Sequence, residues 1–218
     1  MRTPGKRDTG SWRSQRADAR ANRGRILDVA EEVFGKGGES ASTEEVARLA
    51  GVGVATVFRH FPTKAALLEA VLVRRFDRLC EQAETLLDAT DPGRAFFDFF
   101  SHLVADAATK IAIAEALLEA GGDSDGDAAQ ASNGLRRAVA ALLQHAQHAG
   151  AVRDDVELPE VYALLVATSR AAAHAHLDQE VRARVLAIVF DGLAPLPNAR
   201  AQTREQPELP RPHRRAST

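Results

Sequence analysis

The segment of residues 43–64 carries side chains whose types and spacing suit the recognition of DNA bases. Val57 and Phe61 are four residues apart and would share the inner face of a helix, which turns Thr56 and Arg59 outward. An arginine side chain matches the paired O6 and N7 acceptors of guanine, and a threonine can offer a methyl group to thymine or a hydroxyl to phosphate. The pattern predicts a helix that reads the major groove, with Arg59 binding guanine.

Two short helices must position these side chains, and the sequence marks the ends of both. Residues 42–45, Ser-Thr-Glu-Glu, match a capping box at the start of the first helix. Gly51 and Gly53 mark a turn, and Pro62 ends the second helix because the residue before a proline avoids helical geometry. This arrangement is typical of a helix-turn-helix motif. A plain helical hairpin with a solvated outer face is the alternative, and the short helices and the cationic outer face argue against it.

The other residues that could support catalysis or bind a metal are poorly spaced for either. His174 and His176 would point about 200° apart on a helix. His145 and His148 have no carboxylate or cysteine nearby at a ligand spacing. The single cysteine, Cys80, has no evident base near it in the sequence. We therefore expect no metal, no cofactor and no enzymatic activity.

Charge is unevenly distributed along the 218 residues of the chain. Residues 1–25 contain eight basic and two acidic residues, a net charge of +6, residues 194–218 carry +3, and the segment between them carries −11. A basic end on an acidic body favours a polyanionic partner such as double-stranded DNA. The N-terminus is polar and basic rather than secretory, and no apolar run approaches the roughly 18–20 residues that cross a bilayer. We expect a cytoplasmic protein without membrane contact.

The hydrophobic periodicity is helical wherever it is clear, and it predicts an all-α protein. We expect a three-helix helix-turn-helix domain followed by a helical bundle that contains a pair of dimerisation helices. Four regions follow from the composition and periodicity: a disordered basic arm (1–18), the DNA-binding domain (19–63), a ligand-binding and dimerisation domain (64–193) and a disordered tail rich in proline and arginine (194–218). Within the bundle we expect helices over about 64–87, from 92, and over about 109–120, 129–149, 158–177 and 178–193.

The last predicted helix has more apolar surface than one buried face requires. Its residues form two apolar stripes, and because a surface helix needs only one, two stripes indicate burial on two sides. Small residues on the preceding helix would allow a partner helix to approach closely. The pattern predicts a twofold homodimer, with a monomer whose last helix is buried as the alternative. The predicted interface residues are Ala172, Ala175, Val181, Val185, Ile188 and Gly192.

Residues 25–72 resemble the DNA-binding domain of the TetR family of bacterial transcriptional regulators. The resemblance rests on Ala-Arg-Leu-Ala-Gly-Val at 47–52, Thr-Val-Phe-Arg-His-Phe at 56–61, and a lysine at 64 followed by two leucines at 67 and 68. Beyond this region, only the helical layout and the length of the chain agree with the family.

The resemblance implies a role for each matching side chain. Thr43 would lie at a phosphate. The residues that would face the bases are Val54, Ala55, Thr56 and Arg59, and those that would lie along the DNA backbone are Phe58, His60 and Lys64. The family often has tyrosine where this chain has Phe58, so a phosphate hydrogen bond is not expected from that side chain. Arginines at the start of the domain add positive charge. They could enter the minor groove, or they could simply be attracted to the phosphates, and the sequence leaves both alternatives open. The predicted DNA-binding residues are Arg20, Arg23, Thr43, Val54, Ala55, Thr56, Phe58, Arg59, His60 and Lys64.

The interior of the helical bundle is the expected ligand site, because bundle interiors hold small molecules in apolar pockets with a few polar groups. The resemblance also implies an effector site in this region, for a small molecule of unknown identity. Each aromatic candidate could equally belong to the core. The predicted pocket residues are Phe96, Phe100, Leu103, Ile111, Glu115, His145, Tyr162, Leu165 and Ser169.

Together, the motif and the resemblance predict a sequence-specific transcriptional regulator. We expect a repressor that a small molecule releases from a pseudo-palindromic operator, through a change in the separation of its two DNA-reading helices. The alternative is a protein that binds or sequesters a small molecule and contacts DNA only nonspecifically. Sequence-dependent and salt-resistant DNA binding would distinguish the two.

Overall fold

The computed structural model describes residues 9–37, 41–123, 125–174 and 178–195. These residues form eight α-helices and no β-strand, which confirms the predicted all-α class. The helices are α1 (Thr9–Gly37), α2 (Thr43–Leu49), α3 (Val54–His60), α4 (Lys64–Leu87), α5 (Pro92–Glu119), α6 (Asp127–His148), α7 (Leu158–His174) and α8 (Gln179–Leu193).

The first helix begins earlier than the composition suggests. Helix α1 starts at Thr9, so the predicted disordered arm of residues 1–18 is wrong for residues 9–18. Extending an existing helix requires no new nucleation, and the two arginines, the glutamine and the alanine of this segment have high helix propensity. Residues 1–8 of the arm, and residues 196–218 of the predicted tail, lie outside the described residues.

Helix α5 is a single helix of 28 residues, where the sequence analysis predicts two. The segment between Phe100 and Ile111 contains neither glycine nor proline, so nothing in it ends a helix. Its start agrees with the sequence, because the Asp91 side chain accepts a hydrogen bond from the backbone N–H of Arg94 at 2.9 Å and Pro92 occupies the first turn.

One hydrophobic core extends from the N-terminal helices to the end of α8. Ile26 and Phe34 of α1, Val46 of α2 and Val57 of α3 are fully buried together. Leu67, in the first turn of α4, is fully buried in the same cluster. The N-terminal unit, α1–α3, is therefore packed against α4 rather than attached by a free linker.

Phenylalanine contacts attach the last helix to α5. The ring of Phe190 on α8 lies with its centroid 4.6 Å from that of Phe97 and 5.5 Å from that of Phe100. Leu186 and Leu193 of α8 are buried in the same core. One apolar stripe of α8 is thus used inside the monomer. Within the described part of the chain, no helix is both long and apolar enough to span a membrane.

Candidate DNA-binding interface

Helix α2 starts where the capping pattern places it. The Ser42 side chain accepts a hydrogen bond from the backbone N–H of Glu45 at 3.1 Å. This bond satisfies one of the N–H groups that the first turn of a helix leaves without a partner. Val46 and Ala47 are buried against the core, so the inward face of α2 is fixed.

The turn after α2 requires a glycine. Gly51 has a φ of 66°, in the left-handed region that a residue with a Cβ adopts only at a cost. The N–H of Gly51 donates to the Arg48 carbonyl at 3.3 Å, and the N–H of Val52 donates to the Ala47 carbonyl at 3.0 Å. These two bonds form a Schellman motif, which ends α2 and directs the chain into α3.

Helix α3 presents one face to solvent because its other face is buried. Val57 lies in the core, as does Phe61 directly after the helix. Ala55, Phe58 and Arg59 are exposed. The predicted orientation of the reading helix is therefore found in the structure. Of the other residues on this helix that the resemblance assigns to DNA, Val54, Thr56 and His60 are half-buried.

Lys64 makes internal contacts that the sequence analysis did not predict. Its ammonium group donates to the Ala41 carbonyl at 3.1 Å and lies 5.3 Å from the centre of the Phe34 ring. These contacts connect the start of α4 to α1 and to the segment before α2. Lys64 thus has a structural role, and its predicted place along the DNA backbone stays a prediction.

Three other predicted DNA-contact residues differ in their accessibility. Thr43 is only 6% exposed, which leaves its side chain little access to a phosphate. Arg20 and Arg23 are exposed on α1, and the guanidinium carbon of Arg23 lies 4.8 Å from the centre of the Phe61 ring. That contact places a positive charge beside the end of α3, where a phosphate could be bound.

A cluster of ion pairs connects the N-terminal unit to the bundle. Glu31 of α1 pairs with Arg75 of α4 and, at 2.5 Å, with Arg78 of the same helix. The Arg75 guanidinium also binds Asp106 of α5, with its Nε 2.9 Å from the carboxylate. The Arg75 side chain is 8% exposed, so its charge is screened only weakly by water.

A close steric contact lies beside this cluster. A Cβ on Gly35 of α1 would lie 2.5 Å from the Cγ2 of Thr109 on α5, so a larger residue at position 35 would require the Thr109 side chain or the helices to shift. The ion pairs and the glycine contact were missed by sequence reasoning. The spacing of Arg75 and Arg78 on one face of α4 was visible, but their acidic partners lie on helices distant in sequence.

A cavity of about 170 Å³ lies among α5, α6 and α7 and matches the predicted ligand region in part. Five of the predicted pocket residues line it, whereas Phe96 and Phe100 are buried in the α5–α8 core instead. Glu115 and His145 are exposed and do not line this cavity, and the ligand site itself stays a prediction. The five predicted residues that line it are Leu103, Ile111, Tyr162, Leu165 and Ser169.

The predicted dimer residues form a partly exposed stripe on α8. Val181 and Val185 are half-buried, Gly192 is exposed, and Ile188 is 72% exposed. Ala172 on α7 is half-buried. Such an apolar stripe on the surface of one chain is what a helix–helix interface requires, and the interface itself stays a prediction. Ala175 lies outside the described residues.

The cysteine and the histidines are the other side chains that could react or bind a metal. Within the described ranges, no group of three or more His, Cys, Asp or Glu residues is placed to hold a metal ion. Burial raises the pKa of the Cys80 thiol, and the nearby carboxylates of Asp77 and Glu84 raise it further. The thiol therefore stays protonated at neutral pH, the less reactive form.

An exposed short helix, oriented by a buried partner face and preceded by a glycine turn, defines a helix-turn-helix DNA-binding protein. The comparisons with known proteins agree. Residues 26–71 match the family described as bacterial regulatory proteins, tetR family. Residues 91–195 match the C-terminal domain described as transcriptional regulator SbtR-like.

Solved structures extend the similarity over most of the chain. A TetR transcription regulatory protein from Mycobacterium vanbaalenii is 39% identical, with a TM-score of 0.68 over 83% of this chain and 99% of that chain. The TetR transcriptional regulator SCO0520 from Streptomyces coelicolor is 33% identical, with a TM-score of 0.67 over 79% of this chain and 98% of that one. The chain therefore belongs to the TetR family of bacterial transcriptional regulators.

Similarity to curated relatives is shorter. The transcriptional activator FasR of Mycolicibacterium smegmatis is 35% identical over 102 residues, which is 43% of this chain and 47% of FasR. The transcriptional repressor KstR of the same organism is 43% identical over 61 residues, 28% of this chain and 30% of KstR. The chain thus matches less than half the length of these curated relatives, and they include both an activator and a repressor.

Proposed function

We propose that this protein is a dimeric transcriptional regulator that reads a pseudo-palindromic operator with α3 and releases it when a small molecule binds. The observation that carries the proposal is the geometry of α3. Val57 and Phe61 are buried, which leaves Ala55 and Arg59 exposed on the opposite face. A short helix presented in this way can enter the major groove.

Arg59 is the main polar reader in this proposal. Its guanidinium can bind the O6 and N7 atoms of guanine together. Val54 and Ala55 are apolar, so their contribution is contact with thymine methyl groups. With few direct hydrogen bonds available, sequence-dependent DNA shape supplies part of the specificity.

The dimer forms through the exposed stripe of α8, with Ile188 near its centre. A twofold interface places two copies of α3 about 34 Å apart, the distance of one turn of DNA. Both copies must reach their half-sites for tight binding. A monomer would lose most of the affinity, because each N-terminal unit would bind alone.

Ligand control acts through α4 in this proposal. Helix α4 carries Arg74 and Arg75 toward the N-terminal unit, and Arg74 donates to the Gly24 carbonyl at 3.2 Å. A ligand among α5, α6 and α7 that favours a different position of α4 would move these contacts. The separation of the two reading helices would then no longer match the operator.

Repression is the simplest outcome of operator binding, because a bound dimer excludes other proteins from the same DNA. The proposal includes no catalytic step. It places the protein in the cytoplasm, with the DNA it regulates. The alternative function, small-molecule binding with only nonspecific DNA contact, predicts no preferred sequence.

The test is selection from a random DNA pool with the full chain at near-physiological salt. We expect one inverted repeat with half-sites about one helical turn apart. The Arg59→Ala variant should lose preference at one base position, whereas Arg48→Ala, which removes an exposed arginine from α2, should keep the same motif. Recovery of no motif, with binding that disappears as salt rises, would contradict the proposal and favour the alternative.

A further inference from the structure

The cavity among α5, α6 and α7 has an uneven distribution of polar groups. Its apolar wall consists of leucine, isoleucine and valine side chains. Its polar lining residues are Lys110 of α5 together with Tyr162, Ser169 and Arg170 of α7. Lys110 is half-buried, Ser169 is buried and Arg170 is exposed. A cation therefore lies within the cavity wall, and a second lies where the cavity reaches the surface.

No carboxylate lines this cavity in the described part of the chain. Asp106, one turn before Lys110 on α5, is bound by Arg75. The described ion pairs involve neither Lys110 nor Arg170. The two cavity cations thus have unused capacity to bind an anion.

Two further observations agree with a cationic site. Burial lowers the pKa of Lys110, an effect that Asp106 opposes and Arg75 reinforces. A buried ammonium group is destabilised by the loss of water, and an anionic ligand would offset that cost. The guanidinium carbon of Arg136, an exposed residue, lies 4.9 Å from the centre of the Tyr162 ring, which adds a third positive charge against a residue of the cavity lining.

The volume of the cavity limits the size of its ligand. A cavity of about 150 Å³ can hold one benzene molecule, and this cavity measures about 170 Å³. A ligand that fills it has a single ring or a short branched chain. Larger ligands such as a fused-ring system would not fit without movement of the helices.

We propose that this cavity binds a small organic monocarboxylate with an apolar body the size of one ring. Lys110 binds the carboxylate, Ser169 donates a hydroxyl hydrogen bond to it, and Arg170 attracts the anion at the opening. The apolar body lies against Leu103 and Leu165. The inference deepens the ligand control proposed above and rests on it for the effector role of the site.

The position of Lys110 also connects the ligand to the DNA-binding unit. Asp106 is close enough to Lys110 to oppose the lowering of its pKa, and it binds Arg75, which in turn binds Glu31 of α1. A carboxylate bound to Lys110 withdraws that cation from Asp106, so Asp106 interacts more strongly with Arg75. The ligand charge thus acts on the same ion pairs that join α4 to α1.

The test compares three probes of matched shape and different charge. Benzoate is the anion, benzamide the neutral analogue and benzylamine the cation, each titrated calorimetrically into the full-length protein without DNA. We expect benzoate to bind at least about tenfold more tightly than benzamide, because a charge-assisted hydrogen bond replaces a neutral one. Benzylamine should show no binding, and 2-naphthoate should bind more weakly than benzoate.

A charge variant identifies the group responsible. Lys110→Met keeps the length of the side chain and removes its charge, so benzoate should lose its advantage over benzamide. Lys36→Met removes a lysine that lies exposed on α1 beside Glu32, and it should leave the advantage intact. Circular dichroism spectra and unfolding midpoints of both variants establish that each is folded.

Equal affinity for benzoate and benzamide would overturn the proposal, as would no binding of benzoate at millimolar concentration or a preference unchanged in folded Lys110→Met. These results are independent of DNA. Operator release is measured separately, with DNA recovered by selection. If benzoate shows the expected preference but the protein recovers no motif, the proposed function fails while the assignment of the site is supported.

Discussion

Replacement of Arg75 by methionine provides a quantitative test of how the N-terminal unit is attached to the bundle. The Arg75 side chain is 8% exposed and bridges Glu31 and Asp106. Removal of one partner from a buried ion pair costs roughly 3–5 kcal/mol. Glu31 keeps Arg78 as a partner, and Asp106 keeps Lys110 nearby, so we expect about 3 kcal/mol, at the lower end of that range.

The assay is unfolding in urea together with thermal unfolding of the full chain. For a chain of this length, each kcal/mol lowers the melting temperature by roughly 2–4 °C, so the expected shift is about 6–12 °C. Arg78→Met is the matched control. Its side chain is 47% exposed and binds the same Glu31, and exposed ion pairs contribute under about 1 kcal/mol.

The comparison of the two variants decides whether burial gives Arg75 its importance. A loss within about 1 kcal/mol of wild type for Arg75→Met would refute the reasoning, because an exposed pair would cost the same. Equal losses in the two variants would refute it as well. A double-mutant cycle with Glu31→Gln then measures the coupling of this pair directly.

Three further perturbations address the interface residues. Arg59→Ala should cost about 1–3 kcal/mol at one base position, and unchanged discrimination in a competition assay would remove Arg59 as a base reader. Lys64→Met should lower stability by about 1 kcal/mol through the lost Ala41 hydrogen bond and leave the salt dependence of operator binding unchanged. A fall of about one in the salt slope would restore a phosphate contact for Lys64. Ile188→Asp should convert the dimer to a monomer, because it puts an unpaired charge into the apolar interface proposed on α8, and an unchanged mass by light scattering would place the interface elsewhere.

The helix-turn-helix could be predicted from sequence because its signals are local. The Ser42 cap, the glycine at 51 and the proline at 62 all act within a few residues of their own positions. The burial of Val57 and Phe61 follows from the helical period alone. The orientation of α3 could therefore be predicted from the sequence.

The ligand cavity and the ion pairs depend on which helices pack against each other, and local sequence signals do not predict that packing. Glu115 was assigned to the pocket from its place on α5, yet the buried face of that helix is formed by Ile113, Ala116 and Leu117, and Glu115 points away from it. Lys110 is not among the predicted pocket residues, and a lysine on a helix is usually solvated. Only its position beside α7 shows that it lines the cavity.

The contact of α1 with α4 and α5 limits how freely such regulators can exchange parts. An N-terminal unit grafted from another regulator would need glycine at position 35, opposite Thr109, and an acid at position 31, opposite Arg75, to keep the same packing. A donor with alanine at position 35 would require the Thr109 side chain or the two helices to shift beside the ion pairs. DNA specificity in this chain is thus transferable only together with its docking residues, and chimeras that keep Glu31 and Gly35 are the ones expected to respond to the original effector.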